Sequence, residues 1–172
     1  MKKEKTTEKP SDYTENIETK NTNRYKDLWS RPGYLIRRLH QIHVGLFAEA
    51  CGPENVTAVQ FAILSVLQKN DCLDQLSLSK AVGIDRTSGA DVIKRLMRNG
   101  LVTREISQSD GRAKVVRITQ AGHLLVDEIQ PAMESAQDKL MDPLTAHEQV
   151  IFMSLLSRLI EANNESSRAP MT

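Results

Sequence analysis

Asp85-Arg86-Thr87-Ser88-Gly89-Ala90-Asp91-Val92-Ile93-Lys94-Arg95-Leu96-Met97-Arg98-Asn99-Gly100 is the stretch whose reading sets the fold. Asp85 stands where an N-cap is needed, Val92, Ile93 and Leu96 give one apolar side, and Gly100 suits a left-handed C-terminal residue, which predicts a helix ending at Asn99. The period then changes. Leu101 to Ile106 and Lys114 to Ile118 are short β-type runs, and Ser109-Asp110-Gly111-Arg112 between them has the Asp-Gly pair of a tight hairpin tip.

On the upstream side, a short helix from Ser77 to Val82 stops at Gly83. Before it, Thr57 and Gln60 form a capping box that opens a helix through Phe61, Ile63, Leu64 and Leu67. Further out, Pro32-Gly33 starts a helix that runs to about Ala50, with Leu35, Leu39, Ile42 and Leu46 on one apolar stripe. Ile36, His40, His43 and Phe47 form a second stripe, so the helix calls for cover on more than one side. Downstream, Thr119 caps a long helix to about Met141, with Leu125, Ile129, Met133, Ala136 and Leu140 on one face and Pro131 placed to kink it. A second capping box, Thr145 with Glu148, opens a last helix whose Ile151, Phe152, Leu155, Leu156 and Leu159 are expected to face inward.

Helix, short helix, turn, helix and hairpin is the order of a winged helix-turn-helix. The expected fold class is therefore mainly α, a winged helix-turn-helix with a helical dimerisation region. Residues 1–23, rich in Lys, Glu, Thr and Asn, read as a disordered tail. Residues 24–54 carry the first helix, for dimerisation and a pocket. Residues 55–118 form the DNA-binding domain, 119–165 the C-terminal dimerisation helices, and 166–172 a frayed end.

The chain has 172 residues, 23 basic and 22 acidic, so its net charge of +1 says little until it is divided by position. Residues 80–117 hold 9 basic and 4 acidic side chains, whereas 118–172 hold 3 and 8. A polyanion partner is thus expected for the middle of the chain. Aromatics at 4% argue against a β-sandwich. The longest uncharged run, residues 55–68, is too short to span a bilayer, and no apolar segment follows the basic first residues as in a secretory signal. Cys51 and Cys72 have neither zinc nor disulfide spacing, which suits a reducing compartment, and a cytoplasmic location without membrane partner is expected.

The major groove of B-DNA admits one α-helix, and a hairpin beside it reaches the minor groove or backbone. Arg86, Thr87 and Ser88 stand at the helix N-terminal end, where base edges are met. Gly89 follows; since Gly inside a helix costs roughly 1 kcal/mol relative to Ala, close approach to DNA would account for it. Lys94, Arg95 and Arg98 suit phosphate contacts or interior ion pairs. Arg104, Arg112, Lys114 and Arg117 lie on the hairpin. Arg112 at the tip is placed to enter a narrow minor groove, and Asp110 to hold Arg112 or the turn backbone. The same cations also fit a merely solvated surface.

Thr57-Ala58-Val59-Gln60-Phe61-Ala62-Ile63-Leu64, Leu76 to Ile84, Lys94 to Val102, Ser109 to Lys114 and Ile118 to Gly122, taken in order, resemble the MarR family of bacterial transcriptional regulators over roughly residues 33–162. The resemblance implies a homodimer built from the first and the last two helices, a palindromic double-stranded DNA operator, and repression relieved by a small molecule. By the same likeness Asp110 and Arg112 match the Asp-x-Arg pair of the family wing. Asp91 departs from the cation or hydroxyl often found at its position. Trp29-Ser30-Arg31-Pro32-Gly33 with Leu35 to His43 is similar to the subgroup controlling catabolism of aromatic and heteroaromatic acids, hydroxynicotinate regulators among them.

The expected function is a homodimeric, sequence-specific repressor released from its operator by a small aromatic or N-heteroaromatic carboxylic acid. His40 and His43, three apart on one helix face, would donate to such an acid, with Arg37, Arg38 or Trp29 adding a cation or a stacking surface. The other reading is a redox- or metal-responsive regulator using Cys51 and Cys72, or His40 and His43. The histidines have no obvious further ligands, so neither a metal nor a cofactor is assigned. An enzyme is excluded: no nucleophile–base pair, phosphate loop or carboxylate pair stands at useful spacing.

Overall fold

The computed structural model describes residues 25–52, 56–70, 72–106 and 114–171. Its elements in chain order are α1 (Lys26–Trp29), α2 (Pro32–Ala50), α3 (Ala58–Lys69), β1 (Cys72–Asp74), α4 (Gln75–Ala81), α5 (Arg86–Arg98), β2 (Val102–Ile106), β3 (Lys114–Ile118), α6 (Gln120–Met141) and α7 (Ala146–Ala162). The expected tail over residues 1–23 and the hairpin tip with Asp110 and Arg112 lie outside the described residues. Two compact units, 1–42 and 43–172, divide the chain within α2.

In the first unit, α1 is one turn, and the Tyr25 and Trp29 rings stack with centroids 6.1 Å apart. The second unit contains the core. Ile63, Leu64 and Leu67 of α3, Leu78 of α4, Ile93 and Leu96 of α5 and Val116 of β3 are all buried. They close around the sheet as the patterns of 3.6 and 2 residues require.

Side-chain caps set where the helices start. The Thr57 and Thr145 capping boxes are both formed, with Gln60 and Glu148 reaching back to the cap backbone. Asp74 caps α4, accepting from the Leu76 and Ser77 N–H groups at 2.9 and 3.0 Å and from the Ser77 hydroxyl at 2.5 Å. That helix therefore begins at Gln75, two residues before the start read from Ser77. Helix α6 continues through Pro131 to Met141.

The hairpin is joined by a third strand. The sheet order is β1-β3-β2, all antiparallel, with Cys72 opposite Arg117 and Asp74 opposite Val115. Three residues between two helices are too few to show an alternation, so nothing in the sequence marked β1 as a strand.

Hydrogen bonds hold the carboxyls of Asp74, Asp85 and Glu148 below their ordinary ranges, the largest causes being Ser77, Ser88 and Thr145 respectively. A carboxyl more acidic when folded stabilises the protein above its unfolded pKa, and the effect is lost as pH falls through the folded value. Stability should thus be flat from neutrality to about pH 5 and decline below about pH 4. Urea unfolding across that range should show Asp85→Asn losing part of the acid-side slope; an unchanged slope would count against the cap.

Candidate nucleic-acid interface

Helix α5 divides cleanly into two faces. Gly89, Ile93 and Leu96 are buried, while Thr87, Asp91, Lys94 and Arg98, at i, i+4, i+7 and i+11, form one exposed stripe. Arg86 and Arg95 are also exposed. The helix opens on Asp85, whose carboxylate accepts from the Thr87 and Ser88 N–H groups, both at 3.0 Å, and from the Ser88 hydroxyl at 2.6 Å. Ser88 has therefore given its proton to the cap and offers outward only an acceptor. Thr87 is the better base reader of the two.

An open cleft of about 410 Å³ lies where the starts of α4, α5 and β3 converge, lined by Asp74, Gln75, Leu76, Arg86 and Lys114. It brings together two of the expected DNA contacts, Arg86 and Lys114, from opposite ends of the winged motif. The Asp74 carboxylate beside them is taken up by the α4 cap. Arg104 and Arg117, by contrast, have partners within the chain. Arg104 Nη2 donates to Gln75 Oε1 at 2.7 Å, fastening β2 to the start of α4, and Arg117 Nε pairs with Glu105 Oε2 at 3.3 Å across the hairpin. Arg112 and Asp110 fall outside the described residues.

One expected contact is corrected. Gly89 is buried, and a Cβ there would collide with Ser79 Oγ and lie 3.0 Å from Ser79 Cβ. The glycine lets α5 press on α4; it is not on the exposed face and leaves the set of DNA contacts. Sequence reasoning missed Ser79, although a small residue on each of two successive helices was the available signal, and it missed Gln75, for which the sequence held none.

The residues read as effector contacts are on α1 and α2. Arg37 lies over the Tyr34 ring, 5.4 Å from its centroid, and Arg38 Nη1 donates to Gln41 Oε1 at 3.2 Å. Trp29, Arg37, Arg38 and His40 are exposed and His43 is half-buried. Cys51 is buried, which pushes its thiol up and keeps it protonated at neutral pH, a poor nucleophile. Among the described residues no three of His, Cys, Asp or Glu gather as a metal set, and no helix is long and apolar enough to cross a membrane.

The MarR family model matches residues 56–114. The HTH-type transcriptional repressor NicR of Pseudomonas putida is 28% identical over 141 residues, 81% of this chain and 89% of that protein. Two solved structures are also similar. Bordetella bronchiseptica BpsR, whose DNA binding is regulated by 6-hydroxynicotinic acid, is 29% identical with a TM-score of 0.73, covering 76% of this chain and 94% of that one. The PcaV transcriptional regulator of Streptomyces coelicolor, in complex with its natural ligand, is 33% identical with a TM-score of 0.71, covering 78% of this chain and 95% of that one.

Proposed function

The chain belongs to the MarR family of transcriptional regulators, and on that premise we propose that it is a homodimeric repressor that binds a palindromic operator and is released by a small aromatic or N-heteroaromatic carboxylic acid. The observation that carries the DNA half is the exposed stripe of α5 next to the Arg86–Lys114 cleft. Thr87 meets base edges there, while Arg86, Lys94, Arg95 and Lys114 neutralise phosphates. The dimer half is supported by α7, an apolar helix with no buried residue in the single chain.

The effector half is supported by two relatives, NicR and BpsR, and by residue chemistry. Arg37 or Arg38 pairs with a carboxylate, His40 and His43 donate to it or to a ring hydroxyl, and Trp29 stacks on the ring.

The test is an electrophoretic shift on the DNA upstream of its own gene, repeated with a panel of aromatic and N-heteroaromatic acids. A specific shift that one acid abolishes is expected; no specific shift at low salt would refute the reading. Arg86→Ala should weaken binding to all duplexes and reduce the log–log salt slope by about one. Thr87→Ala should instead relax sequence preference. A uniform loss for Thr87→Ala would make it a positioning contact.

A further inference from the structure

Beyond α7 the chain turns back on itself. Asn164–Ser166 form one 3₁₀ turn, and Ser167 Oγ accepts from the Ala169 N–H at 3.1 Å. The Asn164 carboxamide closes the loop. Its Nδ2 donates to the Met171 carbonyl and its Oδ1 accepts from the Met171 N–H, each at 2.9 Å. Both backbone polar groups of Met171 are thereby fixed by one side chain, using the full donor and acceptor capacity of an amide edge. The end expected to fray over residues 166–172 is thus a closed loop as far as Met171, because the Asn164 side chain supplies partners for the Met171 backbone.

The loop delivers one apolar side chain to one place. Met171 Sδ and Cγ stand 3.7 and 3.9 Å from where a Cβ would sit on Gly83, over the bare side of the glycine. Gly83, at φ +68°, is the turn between α4 and α5. That turn is held by the Gly83 N–H donating to Lys80 O at 3.1 Å and the Ile84 N–H donating to Ser79 O at 3.0 Å. A glycine is needed for the positive φ, and its bare side is where the flexible Met171 thioether, itself 45% exposed, comes to lie.

We propose that Asn164 and Met171 are positioning residues for DNA binding: residues 164–171 form a strap that fixes the turn ahead of α5 and so sets the orientation of the helix entering the groove. The same strap joins the end of α7 to the helix-turn-helix. A shift of α7 therefore reaches the DNA-facing helix through one short, hydrogen-bonded segment. The functional consequence rests on the DNA-binding reading above; the mechanical one does not.

The experiment is NMR-detected hydrogen exchange on the full chain, with Asn164→Ala, Met171→Asp and Met171→Leu, alongside affinity for the upstream duplex. The amides of Gly83 and Ile84 should exchange about fivefold or more faster in the first two variants, while Met171→Leu, which restores an apolar side chain, stays near the parent. Affinity should fall in the same two variants and recover in the third. Unchanged exchange at Gly83 and Ile84 in both disruptive variants overturns the strap, and faster exchange with unaltered affinity overturns its positioning role. If exchange rises but the parent chain binds no DNA, the strap stands and the DNA-binding reading fails.

Discussion

Gly122→Ala is expected to lower the stability of the DNA-binding lobe by about 1–3 kcal/mol, although it replaces a glycine in a helix with the best helix former. Gly122 is buried in the first turn of α6, where a Cβ would run into the Leu101 carbonyl oxygen and lie 2.6 Å from Ile118 Cγ1. Overpacking of this kind costs about 1–3 kcal/mol. Leu101 O also accepts the Thr119 N–H at 3.0 Å, and Thr119 caps α6, so relief by moving that carbonyl gives up a further bond worth about 1 kcal/mol. The gain in helix propensity, up to about 1 kcal/mol, does not offset this. Gly89→Ala should be milder. Ser79 Oγ can swing aside, but it then gives up its bond to Gln75 O at 2.8 Å. Ser79→Gly in the Gly89→Ala background should restore most of the loss, since it removes the obstructing atoms. Gly33→Ala, which meets open space, is the control and should be neutral or slightly stabilising. Urea midpoints decide the matter: an unchanged midpoint for Gly122→Ala would disprove the tight seating of α6 on the chain leaving α5.

These two glycines also show where the sequence was informative and where it was not. Caps and periods are local, and Thr57, Asp85, Thr119 and Thr145 marked four helix starts that the fold contains. The long pattern of helix, turn, helix and hairpin needed no tertiary knowledge. Gly89 misled because a helical glycine signals close approach without naming what approaches; α4 and DNA leave the same mark in the sequence. β1 was hidden because three residues carry no period, and Asp74, which ends the strand and caps the next helix, was not singled out. In the candidate interface, the helix start at Asp85 and the cations Arg86, Lys94, Arg95 and Arg98 were legible in the sequence, whereas the exposed stripe of Thr87, Asp91, Lys94 and Arg98 emerged from the burial of the opposite face. That Arg104 is committed to Gln75 was not legible, since side-chain partners 29 residues apart depend on the fold. That the Ser88 hydroxyl turns to Asp85, three residues before it, rather than outward is a rotamer choice that spacing leaves open. The inward face expected for α7 was read from its apolar period, which states that a face needs covering but not which chain covers it.

The second large effect concerns that uncovered face. Leu155→Lys with Leu159→Lys should turn the protein into a monomer at micromolar concentration and lower operator affinity about 100-fold or more. Ile151, Leu155 and Leu159 are exposed in the single chain at 44%, 45% and 56%, with Val150 at 70%, Met153 at 52% and Ile160 at 47%. The expectation that Ile151, Leu155 and Leu159 face inward is therefore corrected for one chain; only Phe152 and Leu156 of that set are half-buried. Such a run of large apolar side chains on one 17-residue helix is not left to water, because burying each contributes about 1.5–3 kcal/mol. In the proposed dimer, two-fold pairing would cover it with its own copy. The substitution removes two of these side chains and sets two like charges one turn apart, so the association should weaken about a thousandfold or more. A monomer then meets one half-site, where a dimer meets two about one helical turn apart. The core of the DNA-binding lobe, built on Ile63, Leu64, Leu67, Leu78, Ile93 and Leu96, receives nothing from α7, so circular dichroism should still report a folded helical chain. Sedimentation equilibrium against the 19.3 kDa chain mass reads the assembly directly. A variant that still sediments as a dimer, with unchanged affinity for the operator, would place the interface elsewhere and leave the exposed face of α7 to another partner.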